Sequence, residues 1–367
     1  VKLALTELRR RPGRFTTATV ILTLIAILLM FLGGLLDGLI ASSTGAIRAQ
    51  NADAIVYSDT AQASFVRSRI EPEVRAQVEA VEGVTEVGGI GNVQLGARVP
   101  GNGPRDLAGV ALFGYELAPE DVPDAPPAGQ AWADDSLQAD GVEEGMVIEL
   151  GPARSPIEII GFVTDTSFNG QGSLWASPDT WRTVLGENRP DARLGPDVWQ
   201  GLVVRGSGDD LPAAIDAATG GATESFTVSG AIDAIPGVQE QTATFNQIIG
   251  VTVAIALVVI GLFFALLTVE RTSLYGVLKA LGAKSGTIFA GLVAQAVVVT
   301  AIAALIAGSL VVALDLLLPP GSIPLSITPG RIALSTALLL VAAVVGCAFS
   351  LRRVLRVDPA SAIGTTS

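Results

Sequence analysis

The chain has 367 residues, half of them hydrophobic, and 23 Lys and Arg stand against 35 Asp and Glu for a net charge of −12. There is no His and one cysteine, Cys347, which excludes His-based triads, His-ligated metal sites and any intrachain disulfide. So acidic a chain is also a poor nucleic-acid binder, because phosphate contacts need clustered Lys and Arg.

Residues 1–15 set Leu5 and Leu8 among Lys2, Arg9, Arg10, Arg11 and Arg14, and Pro12 interrupts the run. The segment reads either as a short amphipathic helix at the cytoplasmic membrane surface or as a plain basic flank. Residues 16–40 are the first of four long apolar runs; the others are 247–269, 288–318 and 332–351. About 20 residues at about 1.5 Å each cross a hydrocarbon core of roughly 30 Å. Backbone groups in lipid must be satisfied internally, so each run is expected to be a transmembrane helix. The first is too long for the apolar region of a signal peptide, about 7–15 residues, and is expected to be an uncleaved anchor.

Residues 41–246 are expected to form an extracytoplasmic α+β domain. Strands are predicted over 54–57, 84–99, 107–113 and 202–205, with Gly punctuating the second. Residues 146–150 and 157–164 flank a Gly-Pro turn and read as a hairpin. Helices are predicted over 72–81, stopped by Gly83, over 177–185, capped by Ser177 with Pro178 first, and over 211–218. Residues 118–129 are Pro-rich and acidic, a solvated loop. Residues 223–246 are expected to lead into the second span and to extend it. In the third run, Gly308 permits a bend, and residues after Asp315 are expected to lie at the interface up to Pro319 and Pro320.

Charge orients the whole. The N-terminal flank, the 270–287 loop and the 352–367 tail sum to +8 and hold all three lysines, whereas residues 41–246 carry 11 Arg against 30 Asp and Glu, net −19. By the positive-inside rule both termini and the 270–287 loop face the cytoplasm, and the 319–331 loop faces out. The predicted fold class is therefore an α+β membrane protein with four transmembrane helices, one plus three around a large extracytoplasmic domain, in the cell membrane.

The cytoplasmic loop, ERTSLYGVLKALGAKSGTI, puts Leu274, Val277, Leu278 and Leu281 on one helical face, and Gly282 permits a tight turn into the next span. Such a helix either docks on a soluble partner or lies as a connector. It is not a phosphate-binding loop: five residues separate Gly276 from Gly282, and Ala283 stands between Gly282 and Lys284. The tail, LRRVLRVDPASAIG, is a second basic amphipathic segment.

The basic start, the one-plus-three order, the LKALGAKSGTI loop and the LRVDPASAIG tail together resemble the MacB/FtsX-like family of ABC-transporter permeases. Within it the chain is most similar to the permease subunits of Hrt-type haem exporters. The resemblance implies a homodimer served by two copies of a separate ABC ATPase subunit, which binds ATP-Mg; unlike MacB, no ATPase is fused to this sequence. It implies that Glu270, Arg271, Leu274, Val277, Leu278, Leu281 and Gly282 couple to that ATPase, that 239–269 acts as a lever toward the outer domain, and that the first two spans form the dimer centre.

No cofactor is expected in the chain itself; haem enters as a substrate from the membrane. With no His, an iron ligand would come from Met, Cys, Tyr or a carboxylate. Candidate cargo residues are Met30, Phe31 and Asp37 in the first span and Phe245, Asn246, Phe263 and Phe264 in the second. For each a plain reading stands beside it: packing for Met30, lipid-facing aromatics for the Phe residues, a snorkelling or capping carboxylate for Asp37. The competing function is mechanotransmission, in which the same body drives a cell-wall hydrolase or sensor without transport. No catalytic site is expected, and acidic pairs such as Asp134 with Asp135, or Glu143 with Glu144, are expected by chance in so acidic a domain.

Overall fold

The computed structural model describes residues 12–103, 105–208, 210–270, 277, 281–318 and 323–355. Helix α1 runs Pro12–Arg48 and outlasts its apolar run, because Ala46 and Ile47 are buried in the core of the domain that follows. That domain contains β1 (Ala54–Ser58), α2 (Pro72–Glu79), β2 (Val84–Arg98), β3 (Leu107–Tyr115), β4 (Gln130–Asp134), β5 (Val147–Leu150), β6 (Ser155–Val163) and β7 (Gly172–Ala176). It continues through α3 (Pro178–Asn188), β8 (Gly201–Gly206), α4 (Leu211–Ala218), β9 (Thr223–Phe226) and α5 (Val228–Ala234). Helices α6 (Val238–Glu270), α7 (Ser285–Leu317) and α8 (Pro329–Leu355) follow. Together with α1 they are long and apolar enough to cross a membrane.

The chain divides into two compact units, a membrane unit (up to 37, 242–317, and from 325) and a sheet-rich unit (38–241 with 318–324). In the sheet-rich unit the order is β3-β7-β4-β6-β5-β2-β8-β1-β9, and a further β2–β3 pairing closes the first six strands into a ring. The hairpin predicted at 146–164 is the antiparallel β5–β6 pair. Ser177 caps α3 as expected, its Oγ accepting from Thr180 N at 3.4 Å with Pro178 in the first turn. One face of the sheet carries Trp181 stacked on Trp199, centroids 5.6 Å apart and 9° between planes. A Cβ on Gly89 or Gly91 of β2 would overlap those rings, which is the physical reason for glycine in that strand. The other face carries Phe65, Phe113, Phe168 and Trp175.

Three strands were not expected. β7 is buried at every position and so lacks the alternation that marks a half-exposed strand. β4 follows a Pro-rich acidic loop, and its parallel partner β6 is remote in sequence. β9 shows that 223–246 is not one extension of the second span: a strand and α5 come first, and Gly237 at φ 91 separates them from α6. Helix α7 runs through Gly308 without interruption.

Below the ring, Asp134 at the end of β4 is 1% exposed. Its Oδ2 accepts from the Thr166 amide and hydroxyl, both at 2.8 Å. Its Oδ1 accepts from Ser167 Oγ at 2.8 Å, from Ser136 N at 3.2 Å, and from Ser136 Oγ. The loop so fixed grips the end of α1: Ala46 N donates to Ser167 O at 3.1 Å, and Asn169 N and Gly170 N donate to Ser43 O and Ser42 O at 3.1 and 3.0 Å. Gly45 allows this approach, since a Cβ there would come within 2.6 Å of Asp165 O. Asp134 is thus a structural centre, although its place in an acidic pair was expected to be chance.

Its neighbour Asp135 is half-buried, and burial first, then the charges of Asp134 and Asp165, push its carboxyl above the usual range. A raised folded value favours the fold below the unfolded pKa, about 3.9, and that advantage is lost as pH rises through the folded value. Asp135→Asn is therefore expected to raise the unfolding temperature at pH 7, with the gain shrinking as pH falls below the raised pKa. All four Trp residues (132, 175, 181 and 199) lie in this unit, so tryptophan fluorescence melts read it selectively.

Candidate functional site

In the membrane unit the four helices pack around two successive apolar clusters. One holds Ala18, Leu22, Ile260, Phe264, Leu292, Ala296 and Cys347. The other holds Ala26, Leu29, Met30, Ala256, Ala304, Ala307 and Leu339. Small residues let the backbones approach, as at Gly346, where a Cβ would sit 2.9 Å from Leu257 O.

The structure does not gather the sequence candidates into one site. Met30 is fully buried in the second cluster, with its Sδ toward Gly308. Phe31 is half-buried. Phe264 is 1% exposed in the first cluster, and Phe263 packs edge-on against it at 5.3 Å. Phe245 is half-buried and Asn246 exposed, and 18 residues of helix, roughly 27 Å, separate Phe245 from Phe263.

Asp37 belongs to a pair. Arg331 Nε donates to its Oδ2 at 2.7 Å and the second guanidinium arm to Oδ1, with side-chain exposures of 16% for Arg331 and 28% for Asp37. This two-pronged contact gives Asp37 a partner that the sequence readings, cargo ligand or snorkelling or capping carboxylate, did not include. Local sequence builds it. Thr328 caps α8, its Oγ1 accepting from Arg331 N at 3.1 Å, with Pro329 in the first turn. Gly33 leaves room for the Arg331 stem, since a Cβ would lie 2.5 Å from its Cδ. Gly34 O accepts from Ser326 N at 3.0 Å. The signal was present in the sequence: an acid and a cation at the same expected membrane face.

Openings lie between the described helices of this unit. A cleft of about 20 Å³ between α1 and α6 is lined by Ala18, Ile21, Leu22, Val259, Ile260, Phe263 and Phe264. A groove of about 560 Å³ between α7 and α8 is lined by small and apolar residues, among them Ala301, Ala304, Gly308, Ser309 and Ile332. Sequence reasoning expected the first place and missed the second, whose small residues look like ordinary helix-packing positions.

On the loop after α6, Glu270 ends the helix and is exposed, Val277 is helical and exposed, and Leu281 is 80% exposed. Leu281 N donates to Val277 O at 3.0 Å, and Gly282 adopts φ 90, the left-handed turn expected there. Arg271, Leu274 and Leu278 lie outside the described residues, as do residues 1–11, Pro319 and Pro320, and the tail from 356. Among the described residues no cluster of three or more acidic or Cys side chains is placed to hold a metal ion.

Residues 246–359 match the FtsX-like permease C-terminal family. The hemin transport system permease protein HrtB of Staphylococcus haemolyticus is 27% identical over 132 residues, 36% of this chain and 37% of that protein, so the match spans little more than a third of either. An uncharacterized ABC transporter permease of Mycobacterium tuberculosis is 26% identical over 98% of both chains. The periplasmic region of MacB from Actinobacillus actinomycetemcomitans is 12% identical, covers 52% of this chain and 96% of its own, and has a TM-score of 0.34. The extracellular domain of YknZ from Gram-positive bacteria is 14% identical, covers 48% of this chain and 100% of its own, and has a TM-score of 0.31. Residues 246–359 are thus similar to the permease part of FtsX-like proteins and the whole chain to an ABC transporter permease, and its four long apolar helices mark a membrane protein.

Proposed function

We propose that this permease exports haem or a similar flat amphiphile from the membrane, as a homodimer powered by two copies of a separate ABC ATPase. The observation that carries the reading is the likeness to a hemin transport permease in a chain whose spans 246–359 match the permease family. Both termini and the loop holding Glu270, Val277 and Gly282 face the cytoplasm in this reading, with that loop as the ATPase coupling element.

The exposed face of α6 supports the dimer. Ile248, Val251, Ile255, Val258, Leu262 and Val269 recur at intervals of three, four and seven and are 43% exposed or more. These residues form one face of the helix that the rest of the protomer leaves uncovered, an apolar surface on which a second copy can pack. Leu262→Cys in a Cys347→Ser background is expected to cross-link between two copies in membranes, while Leu305→Cys on α7, 72% exposed, is not. Equal cross-linking at both positions would remove the α6 seam.

The cleft beside Phe263 is far too small for a porphyrin within one protomer, so a second copy would have to complete it. The α7–α8 groove favours a second placement, because its volume lies within the roughly 300–1,000 Å³ typical of small-molecule sites. Met30 is packed away and Asp37 is paired, so cargo would be held by apolar faces rather than through either residue. The test is ATP-dependent haemin movement in proteoliposomes containing the permease and its ATPase. Loss of transport in Phe263→Ala places cargo at the α1–α6 cleft, and loss in Gly308→Leu places it in the groove. ATP hydrolysis without haemin movement in the unsubstituted complex would replace export with mechanotransmission.

A further inference from the structure

We propose that Asn102 is a site of spontaneous deamidation, and that Asn169, which shares its Asn-Gly sequence and its exposure, is held inert by the end of α1. Asn-Gly occurs twice in the chain, at Asn102-Gly103 and Asn169-Gly170, and all four residues are exposed. In such a pair the backbone N of the glycine attacks the Asn side-chain Cγ. A C–N bond forms, the Cγ–Nδ2 bond breaks, the attacking amide gives its proton to solvent, and the departing nitrogen takes one and leaves as ammonia. Water then opens the cyclic imide at either carbonyl, to aspartate or isoaspartate, with no redox change and no other reactant. Glycine hinders this closure least, as it carries no Cβ beside the attacking nitrogen.

Asn169 and Gly170 form the tip of a closed turn. Phe168 N donates to Gln171 O at 2.8 Å and Gln171 N donates back to Phe168 O at 3.0 Å. Asn169 at φ 51 and Gly170 at φ 72 make the left-handed pair that such a tight turn requires. Gly170 N, the attacking atom, donates to Ser42 O at 3.0 Å, and Asn169 N donates to Ser43 O at 3.1 Å. Thr44 bridges Phe168, and the Asp134 carboxylate fixes Thr166 and Ser167 just before the turn. A nitrogen whose proton is held this way, in a turn that cannot rotate toward Cγ, attacks only after local opening.

Asn102 lies in the connection between β2 and β3, and there the attacking atom is free: among the described residues Gly103 N has no acceptor. Asn102 N donates to Val99 O at 3.2 Å and Asp106 N to Gly103 O at 2.9 Å, and neither bond engages that nitrogen. The Asn102 side chain is held by Nδ2 donating to Asp140 O at 2.9 Å, on the exposed surface, where water competes for both groups. The product carries only acceptors where Nδ2 was, so this bond is lost. Its new charge comes near Asp106 and Asp140; burial first, and then Asp106, already push the Asp140 carboxyl above the usual range. Deamidation therefore loosens and acidifies the β2–β3 turn as the protein ages. The proposal is independent of the exporter reading.

The experiment incubates the purified full chain in detergent at mildly alkaline pH, where more of the amide nitrogen is deprotonated. Both sites are followed by peptide mass spectrometry after digestion in acid, which halts the reaction. The same chain unfolded in guanidinium, with both pairs free, gives the reference rate for each site. Against that reference Asn169 is expected to be slowed by about tenfold or more, and Asn102 by less than about threefold. Gly103→Ala is expected to slow Asn102 by about tenfold with the fold intact, because the added Cβ meets only Asp106 Cβ, at 3.9 Å. Asp134→Ala is expected to speed Asn169 and to leave Asn102 unchanged. The native-to-unfolded comparison of the unsubstituted chain decides the matter even where Asp134→Ala fails to fold. Equal slowing at the two sites, faster conversion of Asn169 than of Asn102, or an Asn102 that converts only in the unfolded chain would overturn the proposal.

Discussion

Asp134→Ala is expected to lower the unfolding temperature of the sheet-rich unit more than any other single polar substitution named above. The carboxylate is almost wholly buried and accepts five hydrogen bonds from Ser136, Thr166 and Ser167. Removing it leaves the Ser136 and Thr166 amides without their acceptor, the Ser136 and Ser167 hydroxyls with only each other, and the Thr166 hydroxyl with only Ser173. A buried donor left unpaired costs about 1–3 kcal/mol, so the two amides together cost about 2–6 kcal/mol. For a unit of this size that is a fall of roughly 4–24 °C, as about 1 kcal/mol shifts the midpoint by about 2–4 °C. The effect reaches beyond β4, because the loop fixed by Thr166 and Ser167 also holds Ser42, Ser43 and Ala46 at the end of α1. Tryptophan-fluorescence melting of the full chain measures it. A midpoint unchanged to within a degree or so of experimental error would show that water replaces the carboxylate and that the network is not what fixes this loop.

The second large effect is expected at the Asp37–Arg331 pair, where single substitutions should be worse than the double. Arg331→Ala strands a carboxylate beside apolar helices, and Asp37→Ala strands a guanidinium. A lone charge in a span costs about 2.5–3.5 kcal/mol at the membrane centre and less toward the interface. Asp37→Ala with Arg331→Ala removes both charges and should recover much of the loss. Cys347 gives a local reading, since it is the chain's single cysteine, fully buried in the membrane unit. A thiol-reactive dye that fluoresces on exposure of Cys347 is expected to report lower midpoints for the singles than for the double. Additive losses, with the double the least stable, would mean that the two side chains contribute independently rather than as a pair.

Much of the fold was legible in the sequence because its signals are local. Length and apolar character mark the four spans, Ser177 with Pro178 marks a helix start, and Gly282 marks a turn. What escaped depends on distant partners. β7 lies between β3, to which it runs parallel, and β4, to which it runs antiparallel, and nothing within its five residues specifies that. The glycines of β2 were visible as punctuation, but their cause, the Trp181–Trp199 stack, required the third dimension. At the candidate site the sequence pointed to Asp37 as an unusual charge without naming Arg331. The two are 294 residues apart, and only the shared membrane face links them. Met30 carried two readings, ligand and packing, and its place among Ala26, Leu29 and Ala304 accords with packing.

The proposed handling of haem or a close analogue is decided by titrating the purified chain in detergent with haemin and following the Soret band. A shifted band is expected that saturates at a fixed stoichiometry, weakens in Phe263→Ala or Gly308→Leu, and persists in Met30→Leu, since Met30 is packed rather than presented. A band no different from that of haemin in detergent alone would rule out haem and leave a protein whose cargo, or whose mechanical partner, is something else.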